Sequence, residues 1–176
     1  AGLTMLGENY AQELLAKNEE LTPAERDQVE WHFLGRLQRN KVRALASIVS
    51  VWQSVDRSEL LEEIARRAPG ARVMIQLKLS EEPQKGGASF ADGPMLAERA
   101  QKMGLDVVGL MGVGAVGAPA DSSAAFAQLV ALADQLGVAE RSIGMTDDLE
   151  LAVAEGSTLL RVGTGLFGAR APREAV

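Results

Sequence analysis

The sequence predicts an α/β protein built on one parallel sheet. Short apolar runs alternate with longer amphipathic stretches along all 176 residues, and helix-start signals fall between the apolar runs. Strict strand–helix alternation is typical of parallel strands joined by helices that pack on the sheet. No linker, low-complexity segment or fixed-period repeat divides the chain, so we expect a single domain over residues 1–176.

The apolar runs predict seven strands, and the amphipathic stretches between them predict the helices. The predicted strands are Leu3–Leu6, Val29–Leu34, Val51–Val55, Arg72–Leu79, Leu105–Met111, Arg141–Ile143 and Leu159–Val162. The predicted helices are Glu8–Glu20, Leu37–Ile48, Ser58–Ala68, Ala91–Met103, Ser122–Leu136 and Asp147–Ala154. Seven strands suit an open doubly wound sheet, whereas a (β/α)8 barrel needs eight and usually a longer chain. The apolar pattern alone does not choose between these architectures.

Three segments have the spacing of a helix start. Thr22-Pro23-Ala24-Glu25 combines a cap residue, a proline at the first helical position and a capping-box glutamate, and it predicts a short extra helical turn. Asp56 with Glu59, and Asp147 with Glu150, repeat the same spacing. We therefore expect Asp56 and Asp147 to cap the helices that follow them.

The composition excludes several kinds of site. The sequence has no cysteine and one histidine, which excludes disulfides, thiolate metal sites and multi-histidine metal centres. A net charge of −6 disfavours nucleic acid as a partner, because phosphate neutralisation needs clustered cations. The basic residues Arg36, Arg39, Lys41 and Arg43 of one predicted helix are accordingly interpreted as a solvated face. No apolar run approaches the roughly 18 residues of a membrane span, so no membrane partner is expected.

The stretch from Arg161 to Gly168, RVGTGLFG, is the strongest candidate for a ligand site. It follows the last predicted strand and can open a short helix, where bare backbone, free N–H groups and the helix dipole favour an anion. Gly163 provides backbone that no side chain covers, and Thr164 adds a hydroxyl donor. The pattern is equally compatible with a tight turn that binds nothing.

The stretch from Arg141 to Asp148, RSIGMTDD, follows the preceding predicted strand. Ser142 and Thr146 offer hydroxyls, and Gly144 lets the backbone turn. Two neighbouring strand ends with small donors strengthen the phosphate hypothesis. Asp147-Asp148 has the makings of a metal or acid–base pair, but acidic residues in the first turn of a helix explain it better.

Three further residues are candidates for a site at the strand ends. His32 alternates with aromatic residues along a strand, which favours a packed, hydrogen-bonded histidine over one facing a ligand. Asn9 either binds a ligand or caps the first helix. Lys78 stands near the end of the fourth predicted strand and is the only lysine with an internal position, while Lys17, Lys41, Lys85 and Lys102 are predicted at the surface.

Together these stretches resemble the YggS/PROSC family, the pyridoxal 5′-phosphate (PLP) homeostasis proteins. The motifs occur in that family's order from the first residues to the last few, and five in order make the resemblance specific. They are Gly7-Glu8-Asn9-Tyr10; Trp31-His32-Phe33-Leu34-Gly35 with Leu37-Gln38 and Asn40-Lys41; Ser142 to Asp148; Gly156-Ser157-Thr158; and Arg161 to Gly168.

The resemblance implies a (β/α)8 TIM barrel of the alanine racemase N-terminal-domain type that binds PLP. Mapped onto this chain, Arg161 faces the pyridine nitrogen, and Gly163 and Thr164 hold the phosphate. Ser142, Gly144 and Thr146 complete the phosphate cradle, Asn9 lies beside the cofactor, and His32 lies near the entrance. The family implies a cytoplasmic monomer that buffers PLP and delivers it to PLP-dependent apo-enzymes without established catalytic turnover.

The resemblance also has departures. In the family a Schiff-base lysine ends a first strand upstream of Gly-Glu-Asn-Tyr, whereas here Gly7 stands almost at the chain start. We therefore expect the first barrel strand and its lysine to be missing from this chain. Lys78 stands where a small polar residue is expected, and Gly112-Val113-Gly114 stands where the family has alanine and proline.

Two other function classes remain open from the sequence. The first is a PLP-dependent amino-acid racemase of the same fold, which needs a second domain with a catalytic tyrosine, while the only tyrosine here is Tyr10. The second is a phosphate-binding barrel for a phosphosugar, which needs an acid–base pair at the strand ends, and neither Asp56 nor Asp106 is well placed for that role. The non-enzymatic PLP carrier is the leading prediction.

Overall fold

The computed structural model describes residues 2–80, 82, 85–114 and 119–168. Within them the chain alternates strands and helices. The strands are β1 Met5–Glu8, β2 Glu30–Phe33, β3 Val49–Val55, β4 Arg72–Leu77, β5 Asp106–Gly112, β6 Glu140–Met145 and β7 Leu159–Arg161. The helices are α1 Ala11–Glu20, α2 Pro23–Arg26, α3 Arg39–Leu45, α4 Ser58–Arg67, α5 Gly93–Lys102, α6 Pro119–Leu136, α7 Leu149–Ala154 and α8 Thr164–Phe167.

All strand pairs are parallel, and the strands stand side by side in chain order from β1 to β7. A doubly wound sheet would reverse its strand order at a switch point, so this alternative is wrong. The sheet is also curled. Ser142 on β6 donates a hydrogen bond of 2.7 Å to Gln53 on β3, although strands three positions apart in a flat sheet lie roughly 14 Å apart. The fold is the TIM-barrel type that the family resemblance predicts.

Strand alternation divides the buried residues between two faces. The outer face packs against the helices and holds the main apolar core, including Phe33, Trp52, Ile75, Leu110 and Ile143. Their chain neighbours point into the barrel. A small inner layer of apolar residues comprises Val51, Met74 and Met111, with Val108, Val113 and Leu159 packed against it.

Above that apolar layer the barrel interior is polar. Residues two positions further along β3, β4 and β7 continue the inward face, and they are Gln53, Gln76 and Arg161. His32 on β2 lies between the outward-facing Trp31 and Phe33, and Ser142 on β6 precedes the outward-facing Ile143, so both join the same polar layer. The barrel is therefore filled by an apolar layer toward its N-terminal end and a polar layer toward its C-terminal end, where the strands run into their loops.

The helix starts were predicted with mixed success. The capping box of α2 is confirmed: the Glu25 N–H donates to Thr22 Oγ1, and the Thr22 N–H donates to the Glu25 carboxylate. The other two predictions are wrong. The N-cap of α4 is Arg57, which pairs through its guanidinium with Asp56, and the N-cap of α7 is Asp148 rather than Asp147.

A close backbone contact fixes the ends of β1 and β2 against each other. A Cβ atom placed on Gly35 would stand 1.8 Å from the Asn9 carbonyl oxygen, which is a steric clash. Only glycine, which has no Cβ, fits at this position. The Leu34 N–H also donates to the Glu8 carbonyl oxygen. The loop after β2 is therefore held directly beside the Gly7–Tyr10 motif.

The basic helix has the predicted solvated face. In α3 the side chains of Val42 and Leu45 are buried, whereas Arg39 and Arg43 are exposed, as is Arg36 just before the helix; the fourth basic residue of the predicted face, Lys41, is half-buried. Over the described part of the chain, no helix combines the length and the apolar character that crossing a membrane requires.

Candidate functional site

The ends of β6 and β7 meet in a cluster of hydroxyls and backbone N–H groups. Thr146, just after β6, accepts hydrogen bonds of 3.2 Å from the Thr164 hydroxyl and from the Gly165 N–H. Gly163 is the N-cap of α8, and its carbonyl accepts the N–H groups of Leu166 and Phe167. We call Thr146, Gly163, Thr164 and Gly165 the cradle. The two strand ends that the sequence analysis considered together are thus in direct contact.

The cradle is open to solvent. Gly163, Thr164 and Gly165 are all exposed, and a Cβ atom on Gly163 would meet no atom within 4 Å. The first N–H groups of a helix have no acceptor within that helix, and α8 begins at Thr164. The cradle therefore offers backbone and hydroxyl donors around free space, the donor set that an anion requires.

Gly144 shapes the approach to the cradle. Its φ of +92° is a backbone conformation that residues with a Cβ rarely adopt, and a Cβ there would lie 2.4 Å from the Ala152 Cβ. The residue is buried under α7. Gly144 lets β6 bend close to that helix before Thr146.

Arg161, the last residue of β7, directs its guanidinium into the polar layer. It donates 2.6 Å and 2.8 Å hydrogen bonds to the Ser142 carbonyl and hydroxyl oxygens, and a 2.7 Å bond to the Gly112 carbonyl oxygen. Burial lowers the pKa of Arg161 to about 10, while the carboxylate of Asp148 acts in the opposite direction. The guanidinium therefore stays charged at neutral pH, and its position is set by β5 and β6.

A chain of hydrogen bonds continues from Arg161 across the interior. The Ser142 hydroxyl donates to Gln53 Oε1 at 2.7 Å, and Gln53 Nε2 lies 2.6 Å from His32 Nδ1. All three side chains are buried. We call Arg161, Ser142, Gln53 and His32 the interior chain. Ser142 was predicted beside the phosphate, but its hydroxyl is engaged here by Arg161 and Gln53.

His32 ends the interior chain in a charged neighbourhood. Desolvation lowers its pKa, and the nearby Arg72 guanidinium acts in the same direction, while Glu30 and Glu140 oppose them. His32 Nε2 lies 3.6 Å from Glu30 Oε1 and has no hydrogen-bond partner among the described residues. Glu30 in turn is paired with Arg72. The sequence preference for a packed, hydrogen-bonded histidine is confirmed.

Asp148 follows Thr146 by two residues and interacts electrostatically with Arg161. Its carboxylate is buried and accepts a 2.6 Å hydrogen bond from the Met145 N–H, which ties the end of β6 to the start of α7. Asp147 is exposed. A cavity of about 370 Å³ opens here, lined by residues Thr146 to Leu151. In the described residues, no group of three or more histidine and acidic side chains has the arrangement of a metal site.

Asn9 does not cap the first helix. The N-cap of α1 is Tyr10, with no side-chain cap bond, and Asn9 is exposed at the end of β1. The buried Glu8 carboxylate holds this turn instead: it accepts the Asn9 N–H at 2.7 Å and the Lys17 ammonium at 2.5 Å. The Asn9 side chain is thus presented at the same barrel end as the cradle.

The structure changes the interpretation of the lysines. Lys78 lies one residue beyond β4 and is half-buried, with its backbone N–H bound to the Ala88 carbonyl. Lys85 was predicted at the surface, which is wrong: its side chain is only 11% exposed, and its ammonium donates to Glu82 and to the Gly114 carbonyl oxygen. Gln53 is the other residue that sequence reasoning missed, because a glutamine within an apolar strand gives no sign of its partners.

The fold and site define a TIM-type barrel with the cradle at the C-terminal end of β6 and β7, and with the Arg161 guanidinium at the end of β7. Residues 1–171 match the family model described as alanine racemase, N-terminal domain. A pyridoxal phosphate homeostasis protein of Pseudomonas aeruginosa is 40% identical over 178 residues, which cover 97% of this chain and 76% of that protein. The chain belongs to the alanine racemase N-terminal domain family, among the pyridoxal phosphate homeostasis proteins.

Solved structures agree with this assignment. PipY of Synechococcus elongatus without PLP superimposes with a TM-score of 0.84 at 36% identity, covering 95% of this chain and 83% of that chain. The structure of PipY with PLP bound gives a TM-score of 0.83 at 34% identity, covering 95% and 82%. Both the barrel predicted from the sequence and the family that the motifs indicated are confirmed.

Proposed function

We propose that this protein binds pyridoxal 5′-phosphate and takes part in PLP homeostasis as a cytoplasmic carrier. The observation that carries the proposal is the cradle of Thr146, Gly163, Thr164 and Gly165 beside the charged Arg161. The relatives named for PLP homeostasis, and PipY with PLP bound, support the choice of cofactor. PLP supplies an aldehyde that reacts with amines, so a cell gains from holding it at a protein.

The donor set of the cradle fits a phosphate group. A phosphate ester presents only acceptor oxygens at neutral pH, and the cradle presents two hydroxyls, the Thr164 N–H at the start of α8 and unfilled space at Gly163. In this proposal Gly163 and Thr164 hold the phosphate, with Thr146 positioning α8. Gly144 acts indirectly through the bend of β6.

Arg161 is proposed to serve the pyridine nitrogen. Its three hydrogen bonds within the described residues use two of the guanidinium nitrogens, so part of its five-donor set remains for a ligand. A charged guanidinium beside the pyridine nitrogen opposes protonation of that nitrogen, because two like charges would meet. Ser142 belongs to the site by holding Arg161, and Asn9 stands at the same barrel end as a neighbour of the bound cofactor.

Carriage rather than catalytic turnover is the role we propose. The relatives are named as homeostasis proteins. The single tyrosine of the sequence, Tyr10, is the N-cap of α1 and is exposed, which does not suit a catalytic acid–base group. PLP-dependent apo-enzymes are the proposed recipients, and the carrier is proposed to act as a monomer composed of one domain.

The test is a PLP titration followed by equilibrium dialysis and ³¹P NMR. We expect saturable binding with a shifted phosphate resonance, and competition by inorganic phosphate at the cradle. A Thr164→Val variant should weaken binding by about tenfold, the value of one charge-assisted hydrogen bond. Unchanged affinity in that variant would contradict the proposed phosphate site.

Two further measurements separate carriage from the alternatives. Incubation of the PLP complex with L-alanine should give no D-alanine above the rate with free PLP, and measurable racemisation would favour the enzyme. Borohydride treatment followed by mass spectrometry should leave the chain mass unchanged. A reduced adduct on Lys78 would show that this lysine binds the cofactor covalently.

A further inference from the structure

We propose that Gln53 is a positioning residue for Arg161. Its side-chain amide links Ser142 to His32, so that every hydrogen bond of the interior chain is donated in the same direction. We propose that these bonds hold the Arg161 guanidinium in place. The consequence for the cofactor ring rests on the proposed PLP function. The positioning itself concerns the unliganded protein and is tested there.

The direction of the chain follows from what each group is able to donate. A guanidinium only donates, so the Ser142 hydroxyl oxygen accepts from Arg161, and the hydroxyl hydrogen is left for Gln53 Oε1. The Gln53 Nε2 group only donates, so His32 Nδ1 accepts from it. A neutral imidazole with an accepting Nδ1 carries its hydrogen on Nε2.

That hydrogen points the chain toward a carboxylate. His32 Nε2 lies 3.6 Å from Glu30 Oε1, beyond a direct hydrogen bond but within electrostatic reach. The donors therefore run in one sense from the cation Arg161 to the anion Glu30, and successive dipoles in such a chain polarise one another. Reversing one link obliges its neighbours to reverse as well.

Burial makes the chain sensitive to a single substitution. Gln53 is 1% exposed, and its chain neighbour on the inward face is the apolar Val51. A buried amide without partners costs free energy, so its presence in this layer is explained by the two bonds it makes. Without Gln53, the Ser142 hydroxyl loses its acceptor, and Arg161 loses the fixed orientation of one of its own acceptors.

Protonation of His32 would break the hydrogen-bond pattern of the interior chain. The charged groups facing His32 are Glu30 on its own strand, Arg72 on β4 and Glu140 on β6. A protonated ring donates from both nitrogens, so Nδ1 no longer accepts from Gln53. The amide then turns its oxygen to His32 and withdraws it from Ser142.

NMR of the unliganded protein tests the proposal directly, because the sequence contains one histidine. In the wild type we expect ¹⁵N shifts of a single neutral tautomer with the hydrogen on Nε2, and slowed exchange of the Arg161 guanidinium, assigned by its absence in Arg161→Lys. In Gln53→Met, which keeps side-chain length, we expect mixed tautomers and an averaged, fast-exchanging Arg161 signal.

Two variants guard against a trivial loss of structure. Gln76→Met removes the other amide of the polar layer, which bonds only to the Gly86 carbonyl in the described residues, and it should leave both signals unchanged. Gln53→Glu keeps the acceptor for Ser142 and adds an anion beside His32. It should retain the slow Arg161 signal and raise the pKa of His32.

The cofactor arm uses PLP labelled with ¹⁵N in its ring. We expect Gln53→Met to weaken PLP about tenfold and to shift the ring ¹⁵N resonance, while inorganic phosphate binds within twofold of the wild type. Failure of the wild type to bind PLP would defeat the proposed function only. Unchanged His32 tautomer and Arg161 exchange in Gln53→Met would overturn the positioning role of Gln53, whatever PLP does.

Discussion

The cradle and the interior chain lie at the same end of the barrel but are built in opposite ways. The cradle consists of residues close together in two motifs; Gly163, Thr164 and Gly165 are exposed, Thr146 is half-buried, and there is free space at Gly163. The interior chain joins β7, β6, β3 and β2 through side chains that are far apart in sequence; His32, Gln53 and Ser142 are buried and Arg161 is half-buried. In the cradle, Thr164 and Gly165 donate to Thr146, which leaves the Thr146 hydroxyl hydrogen for a ligand, whereas the interior chain directs the Ser142 hydroxyl hydrogen to Gln53 and a Gln53 amide hydrogen to His32.

This difference separates binding from stability. Groups that are exposed and incompletely bonded cost little to change, because water replaces the lost partner. Groups that are buried and mutually satisfied cost much more, because each loss leaves a partner without solvent. Substitutions in the cradle should therefore alter affinity, and substitutions in the interior chain should alter folding stability as well.

The largest effect is expected from Arg161→Met. The substitution removes the donor to the Ser142 and Gly112 carbonyl oxygens and to the Ser142 hydroxyl. We expect the free energy of unfolding to fall by roughly 2–4 kcal/mol, measured by urea denaturation. Arg99→Met is the matched control, since its exposed ion pair with Glu62 should be worth less than about 1 kcal/mol. Equal losses of unfolding free energy in Arg161→Met and Arg99→Met would contradict the expected difference between the interior chain and an exposed ion pair.

The second effect is a pH dependence that originates in His32. Its folded-state pKa is lowered from the ordinary value of 6.5, so the unfolded chain binds the proton more readily. The contribution of neutral His32 to the free energy of unfolding is then fully present above about pH 6.5 and decreases as the pH falls toward the folded-state pKa. The total loss is about 1.4 kcal/mol for each unit by which the folded-state and unfolded-state pKa values differ.

Denaturation of the wild type and of His32→Gln between pH 7.5 and 5 measures this contribution. The variant should lose the slope in that interval, because the sequence has no other histidine. The carboxylate of Glu63 does not titrate between pH 7.5 and 5, because hydrogen bonds from Arg66 and Arg67 lower its pKa to about 2. An unchanged slope in His32→Gln would show that another group dominates.

A smaller effect on stability, combined with a large effect on binding, is expected from Thr146→Val. The variant removes the acceptor for the Thr164 hydroxyl and the Gly165 N–H. We expect a loss of unfolding free energy below about 1 kcal/mol and roughly tenfold weaker PLP binding by dialysis. Thr158→Val removes a comparable pair of bonds, to the Arg141 N–H and to Glu140, before the start of β7. It should leave PLP affinity unchanged.

The smallest effect is expected from Phe167→Ser at the end of α8. The Phe167 side chain is 75% exposed, so its removal from the surface leaves no cavity. The change in unfolding free energy should stay within about 0.5 kcal/mol. A greater loss would mean that the exposed face of α8 is covered in the protein as it occurs in solution.

Much of the fold was predictable because its signals are local. Seven alternating apolar runs predicted seven strands, and each observed strand overlaps its predicted segment, although β1 begins at Met5 rather than Leu3. The α2 start was predictable because its proline and capping box act within four residues. The predictions that Asp56 and Asp147 cap the following helices were wrong, because the N-cap is the residue at which the backbone leaves the helical conformation. The spacing of an acidic residue and a glutamate three residues later also occurs where no cap forms.

The site was predictable in part for the same reason. The cradle lies within two short motifs, and the contact between them follows from the parallel order of β6 and β7. The role of Gln53 was not predictable, because its partners Ser142 and His32 lie 89 and 21 residues away. The burial of Lys85 likewise depends on the Gly114 carbonyl at a distance of 29 residues.

The sequence alone determined the strand–helix alternation, the absence of cysteine chemistry, the family motifs and the position of the cradle. Each of these depends on neighbouring residues or on residue types. Only the tertiary structure decided that Ser142 serves Arg161, that His32 is joined to it through Gln53, and that Lys85 is enclosed. The reason is physical: barrel closure brings together inward-facing side chains from distant strands, and hydrogen-bond direction is defined only once donor and acceptor meet.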